Sequence, residues 1–330
     1  MTEAMSHPQK RISRRDLVGR AGAAGLVAGL LSREAGAHAP NGNVPSTGYI
    51  DDHVHLTQPW YGPDYGPITA SLLLDWMDAH DIAQAFVLPL VSPEAFWFPI
   101  TTDFVLQETR PHRDRLLPFC DIDPRRLGTH LTSQKLVVDM LKRYVDAGAI
   151  GFGEHKCRVP IDDVLNMKLY EACVEVQLPV LFHLDNMSMM DKPGLPGLEN
   201  VLNTFPELVM IGHAKGWWAS ISGNLEQADL HAATPQTPVA PGGAIDALMD
   251  KYPNLYGDLS SGGAAAMFRD PEFGREFLVR RAERLLWGTD YYDLHQTDFQ
   301  QFDLFTRFQL PERVVAKISR ENAERLFGLG

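Results

Sequence analysis

The stretch Tyr49-Ile50-Asp51-Asp52-His53-Val54-His55 reads as a β-strand that closes on an H-x-H pair. Side chains two apart on a strand point to the same face, so His53 and His55 can grip one cation together. Alone the pair is a weak signal, because a surface strand can carry two histidines by chance. Its weight comes from the rest of the chain. Val180-Leu181-Phe182-His183 ends another apolar run in histidine, His213 follows Leu208-Val209-Met210-Ile211, and Asp290 follows Leu285-Leu286 in Trp287-Gly288-Thr289-Asp290. Side chains of metal-ligand type thus recur where apolar runs stop.

Working outward, Ala85-Phe86-Val87-Leu88 is a second strand, Leu116-Leu117-Pro118-Phe119 a third, Ala149 to Glu154 a fourth and Leu255-Tyr256-Gly257-Asp258 a seventh. The runs at Val180, Leu208 and Leu285 supply the fifth, sixth and eighth. Helix-period segments lie between them: Ile68 to His80, Gln134 to Ala147 with Gly148 as its stop, and Leu165 to Val176. Eight strands alternating with helices predict an α/β fold, a (β/α)8 TIM-type barrel whose active site lies at the C-terminal strand ends. A doubly wound open sheet is the rival, but no Gly-rich phosphate fingerprint follows the first strand. Gln227 to Gly243, rich in Ala, Pro and Thr, reads as an insertion or long surface loop. One barrel domain over residues 40–330 is the expectation.

Of the 330 residues, 45% are apolar and 22% charged, a globular composition that excludes a disordered or fibrous chain. The 42 acidic and 30 basic side chains give a net charge of −12, which argues against nucleic acid as a partner. Cys120, Cys157 and Cys173 lack metal-site spacing; three free thiols are expected, with a Cys120–Cys157 pair as the alternative.

Residues 1–39 are set apart as a signal segment. Ser13-Arg14-Arg15-Asp16-Leu17-Val18 is a twin-arginine signature, followed by a weakly apolar stretch from Ala21 to Leu31 and by Ala35-Gly36-Ala37, a cleavage site before His38. The apolar run is far shorter than the ~20 residues of a spanning helix, so no stable membrane anchor is expected. The segment holds six basic and three acidic side chains, and its removal shifts the net charge from −12 to −15. The twin-arginine machinery exports folded proteins, so the expected location is the periplasm or another exported compartment.

These motifs resemble the amidohydrolase superfamily, in the branch similar to aminocarboxymuconate-semialdehyde decarboxylase. The resemblance spans about residues 48 to 328. It rests on Asp51 to His55, Pro179 to His183, Ile211 to Ala214, Asn254 to Ser260, Trp287 to Asp290 and the closing Glu321 to Phe327. It implies that His53, His55 and His183 ligate a divalent metal, zinc first with manganese or iron as alternatives. Asp290 is implied as a ligand that also takes a proton from the activated water, and His213 as either a carbonyl-polarising group or a ligand to a second ion.

The fourth strand end, Gly151-Phe152-Gly153-Glu154-His155-Lys156, leaves alternatives open. Glu154 is the favoured ligand; Lys156, on the same face by alternation, is the alternative as a carboxylated bridge or a substrate contact. Arg158 and Lys215 could pair a substrate carboxylate. Trp60, Tyr61, Trp97, Phe98, Trp217 and Trp218 fall in loops on the active-site side, and Tyr291 and Tyr292 follow Asp290; Trp217 and Tyr291 are taken as substrate contacts. The expected function is hydrolysis of a C–N or C–O bond in a small organic substrate. Non-oxidative decarboxylation of an aromatic or muconate-like acid is the alternative, and a non-catalytic exported metal-binding protein is a third. Self-association is left open.

Overall fold

Eight strands form one sheet in which each pairs in parallel with the next: β1 (Tyr49–Val54), β2 (Ile82–Val87), β3 (Leu116–Cys120), β4 (Gly151–His155), β5 (Val180–His183), β6 (Met210–His213), β7 (Leu255–Asp258) and β8 (Leu285–Leu286). The computed structural model describes residues 48–58, 66–128, 132–230 and 237–329. Residues 1–39, expected to be a signal segment, and the loop aromatics Trp60 and Tyr61 lie outside the described residues.

The sheet curls into a nearly closed barrel because β8 returns to β1. Asp52 N–H donates to Trp287 O at 3.0 Å, and Asp290 N–H donates to His53 O at 2.9 Å. The Asp51 carboxylate accepts the N–H of Thr289 at 3.0 Å and its hydroxyl at 2.6 Å. Gly288 has to be glycine at this seam, since a Cβ there would stand 2.2 Å from Asp52 Oδ1.

Helices fill the intervals: α1 (Ala70–Ala79), α2 (Thr102–Thr109), α3 (Gln134–Asp146), α4 (Val164–Val176) and α5 (Pro196–Thr204) follow β1 to β5. Between β6 and β7 lie α6 (Lys215–Ala219) and α7 (Ala244–Lys251), and between β7 and β8 lie α8 (Gly263–Phe268) and α9 (Pro271–Arg280). Side-chain oxygens of Thr69, Ser133 and Asp163 accept the otherwise orphaned N–H groups of Leu72, Leu136 and Leu165 at the starts of α1, α3 and α4.

Strand limits shift from the sequence expectation where a backbone group is already engaged. Ala149 N–H donates back to Tyr144 O at 2.9 Å and finishes α3, so β4 starts only at Gly151. β6 starts at Met210, where the ladder to β7 begins, and therefore contains His213.

Apolar side chains fill the barrel below the site. Ile50, Phe86, Leu117, Phe119, Leu181, Ile211 and Leu286 form this inner core. Phe86 stacks on Phe119 with ring centroids 5.3 Å apart, and Phe327 from the last helix packs against Phe86 at 4.6 Å. A Cβ at Gly151 would approach the Phe119 ring to 2.4 Å, so this glycine makes room for the ring. A larger core fills the layer between sheet and helices. Cys120, Cys157 and Cys173 are all buried and free; the alternative pair does not form. Among the described residues no helix is long and apolar enough to cross a membrane.

Candidate active site

His53, His55, Glu154, His183, His213 and Asp290 converge at the C-terminal ends of β1, β4, β5, β6 and β8. His55 Nδ1 lies 2.8 Å from the Leu88 carbonyl oxygen, which can only accept, so Nδ1 carries a proton and, in the neutral ring, Nε2 is the lone pair. His53 Nδ1 and His213 Nδ1 each lie 2.8 Å from Asp258 Oδ2, which fixes the same tautomer in both. The three Nε2 atoms then face inward. His53 Nε2 stands 3.1 Å from His55 Nε2, and both lie within 3.6 Å of Glu154 Oε2. Asp290 Oδ1 is 3.7 Å from His53 Nε2 and 3.5 Å from His55 Nε2, with Oδ2 3.9 Å from His213 Nε2.

Glu154 is the centre of the cluster. Its Oε1 lies against His183 Nδ1, 3.2 Å from Lys156 Nζ and 3.5 Å from His213 Nε2. His183 Nε2 in turn bonds Asp185 Oδ2 at 3.0 Å, and Asp185 Oδ1 is held by the N–H groups of Met187 and Ser188. Both residues left open at the end of β4, Glu154 on the strand and Lys156 just beyond it, therefore point inward, while His155 points to the other face. There its Nδ1 lies 2.9 Å from Asp121 Oδ1 and its Nε2 3.0 Å from Asn166 Oδ1, tying the end of β4 to β3 and α4.

The charge balance follows from burial set against neighbours. Burial alone would raise Asp290 and Glu154, yet both are held below the ordinary carboxylate range: Asp290 by His53, His55 and His213, Glu154 by Lys156 and His183. Burial is the main cause that holds His213 below the ordinary imidazole value, which favours its neutral form. Asp51 is pushed up to about 7 by burial, against its bonds to Thr289 and His53 N–H.

The donor set suits a divalent cation. Glu154 Oε2 and His213 Nε2 are buried with no hydrogen-bond partner, although they face ligand-type atoms. The groups His53/His55/Asp290 and Glu154/His183/His213 each bring three ligand atoms within 4.8 Å of one another, as does His53/His213/Asp258. Histidine nitrogen and carboxylate oxygen are the usual ligands of catalytic zinc.

Two expected substrate contacts need correction. Trp217 is fully buried, wedged where a Cβ on Gly212 would be and edge-on to Phe182, so it is wall packing behind β6. Tyr291 stacks on Trp76 at 4.3 Å and against Phe299, outside the barrel, and burial pushes its hydroxyl up to about 12. Arg158 and Lys215 are exposed, and neither belongs to the converging groups. Trp218 is buried and donates its indole N–H to Asp258 O at 2.9 Å. Sequence reasoning assigned no role to Asp258, Ser260, Asp185 or Asp51. Asp258 and Ser260 stood in the quoted Asn254–Ser260 motif, and Asp51 immediately precedes Asp52-His53; acidic residues at strand ends were the available signal.

A parallel barrel with histidines and carboxylates gathered at its C-terminal strand ends is a TIM barrel of the amidohydrolase type. The chain belongs to the amidohydrolase family, whose model matches residues 50–329. No protein of curated function matches it. Among solved structures it is similar to an uncharacterised TIM-barrel protein from Bordetella bronchiseptica, at 18% identity over 85% of this chain and 98% of that one, with a TM-score of 0.56. It is also similar to a putative 2-pyrone-4,6-dicarboxylic acid hydrolase from Pseudomonas putida, at 16% identity over 86% and 98% with a TM-score of 0.56. A 2,6-dihydroxybenzoate decarboxylase from Rhizobium matches at 18% identity over 86% and 99%, with a TM-score of 0.53.

Proposed function

We propose that the protein is a metal-dependent hydrolase that opens a C–N or C–O bond, of the amide, lactone or cyclic ester type, in a small substrate. One observation carries this reading above the others: the buried Glu154 carboxylate stands between the His53/His55/Asp290 group and the His183/His213 pair, within 3.6 Å of all four imidazoles. A cation bound there, with zinc the first choice, supplies Lewis acidity and lowers the pKa of water toward ~7. Asp290, ionised and on the open side of the cluster, accepts the proton of the attacking water and returns it to the leaving group. His213 has Nδ1–H committed to Asp258, so its Nε2 is a lone pair; this suits cation binding better than polarisation of a carbonyl.

Lys156 supplies the counter-charge to a substrate carboxylate in this reading. Its side chain is 16% exposed and its Nζ is the basic group beside Glu154, positioned to pair a substrate carboxylate once Glu154 is engaged by the cation. The same lysine favours a second reading, non-oxidative decarboxylation, which the likeness to the Rhizobium decarboxylase also supports. There Lys156 and the cation would hold the carboxylate, Asp290 or His213 would take a proton from water and move it onto the carbon, and the C–C bond would then break to release carbon dioxide. For residues 1–39 we propose a twin-arginine signal that directs the folded barrel to the periplasm, on the sequence alone.

The test is metal-stripped protein titrated with Zn²⁺ and assayed on lactones, amides and aromatic acids, with carbon dioxide monitored. Turnover of a lactone or amide only with Zn²⁺ present is the expected result. Carbon dioxide release assigns the second reading, and failure to bind Zn²⁺ overturns both.

A further inference from the structure

Asp258, at the end of β7, is fully buried, and its contacts as a set say more than any one of them. Oδ2 lies 2.8 Å from His53 Nδ1, 2.8 Å from His213 Nδ1 and 2.8 Å from Ser260 Oγ, while Oδ1 accepts the Ser260 N–H at 2.6 Å. A single oxygen thus collects two imidazoles from β1 and β6, whose ring centroids are 4.2 Å apart. The residue cannot drift, because its own carbonyl accepts the Trp218 indole N–H at 2.9 Å.

We propose that Asp258 is a positioning residue that locks His53 and His213 as a coupled pair, both protonated on Nδ1 and both presenting Nε2 lone pairs to the cluster. An ionised carboxylate has only acceptors, so neither ring can turn or change tautomer without placing a lone pair against Oδ2. His55 is set independently by the Leu88 carbonyl. One side chain on β7 therefore serves both ligand groups, His53 in one and His213 in the other, and its loss damages the two together. The consequence for cation binding rests on the metal-dependent reading above; the tautomer assignment does not.

Asp258→Asn tests it sharply. Both oxygens of Asp258 accept, so the amide must place its NH₂ against a donor in either orientation, Ser260 N–H or the two imidazoles. The first measurement is Zn²⁺ affinity of metal-stripped protein by competition with a chromophoric chelator, where about 10–100-fold weakening is expected. Ser260→Ala removes the hydroxyl that lies 2.8 Å from Asp258 Oδ2 and 3.0 Å from His213 Nδ1 but leaves both Asp258–imidazole bonds in place, so it should weaken Zn²⁺ binding clearly less than Asp258→Asn does. The second is ¹⁵N-imidazole NMR of metal-free protein at a pH where the rings are neutral. Wild type should show the proton on Nδ1 of both His53 and His213, and Asp258→Asn should shift at least one of them. An Nε2 proton on either ring in wild type overturns the proposal even if the variant does not fold, as does unchanged Zn²⁺ affinity in folded Asp258→Asn. Wild type that takes up no Zn²⁺ overturns the functional reading instead, and the NMR arm still decides the role of Asp258.

Discussion

Asp290→Asn replaces one carboxylate oxygen by an amide nitrogen at nearly constant shape. The backbone at this position is left-handed, with φ 57°, and its N–H is bonded to His53 O at 2.9 Å. Asparagine tolerates that conformation well, so the barrel and the β1–β8 seam should persist. The side-chain oxygens stand 3.5–3.9 Å from the Nε2 atoms of His55, His53 and His213, spacing that admits a cation between them. The amide oxygen can still ligate, and the other ligands are untouched, so zinc should be largely retained. What disappears is the base. General acid–base catalysis is typically worth ~10²–10⁴-fold, and at ~1.4 kcal/mol per decade that raises the barrier by about 3–5 kcal/mol. Burial works to raise this carboxyl, but the imidazoles of His53, His55 and His213 outweigh it and hold it below the ordinary range. Asp290 is therefore ionised, and able to act as a base, throughout the neutral range. The assay is kcat across pH with zinc per chain measured on the same samples. Turnover within about fivefold of wild type at full zinc content would refute Asp290 as the base, because it falls far short of the ~10²-fold minimum expected of that role.

Gly151→Ala should cost about 1–3 kcal/mol of stability, the usual cost of overpacking, and lower the urea midpoint accordingly, because its Cβ would press on Phe119 inside the barrel; an unchanged midpoint would mean the inner core is slack. Arg125 forks onto Asp123 (2.6 and 2.9 Å) and Glu94 (2.7 and 2.8 Å). Burial raises Asp123 but Arg125 more than offsets it, and Arg125 lowers Glu94 directly. Both folded-state values lie below the unfolded ones, so this stability is full above about pH 4.5 and is lost as pH falls. Arg125→Met should therefore cost about 1 kcal/mol at pH 7, with a gap from wild type that closes in acid; a gap independent of pH would assign the loss to packing. Changing Arg14 and Arg15 to lysine should leave the protein in the cytoplasm, scored by fractionation; normal export would remove the twin-arginine assignment.

The barrel was legible because its evidence is repeated: eight apolar runs along the chain, with helix-period segments after the first, third and fourth. The inward set His53, His55, His183, His213 and Asp290 was legible for a related reason, as polar residues that interrupt hydrophobic strands at one end. Alternation on β4 correctly placed Glu154 and Lys156 on one face, yet could not say that Lys156 would pair with Glu154, because that depends on the side chains brought by β5 and β6. Trp217 and Tyr291 misled for the opposite reason. Their position beside functional residues suggested contact with substrate, but an aromatic ring is drawn to whatever apolar surface is nearest, here Phe182 and Trp76. Asp258 stayed silent because its importance is a matter of two partners, 205 and 45 residues away in the chain.

The seam between β1 and β8 has a consequence for when the protein becomes competent. Asp51 and Thr289, whose bond lies directly behind the cluster, are 238 residues apart. Almost the entire domain must be threaded into place before that loop closes, and closure is entropically the last contact to become affordable. His53, His55 and Asp290 straddle it, so recovery of a functional centre during refolding reports completion of the ring, whereas helix formation can run ahead of it. A circular permutant that joins residues 329 and 48 and opens the chain at another βα loop would turn this most distant contact into one of the most local. It should regain its cluster earlier in refolding, with the delay transferred to whichever pair of strands had become the new ends.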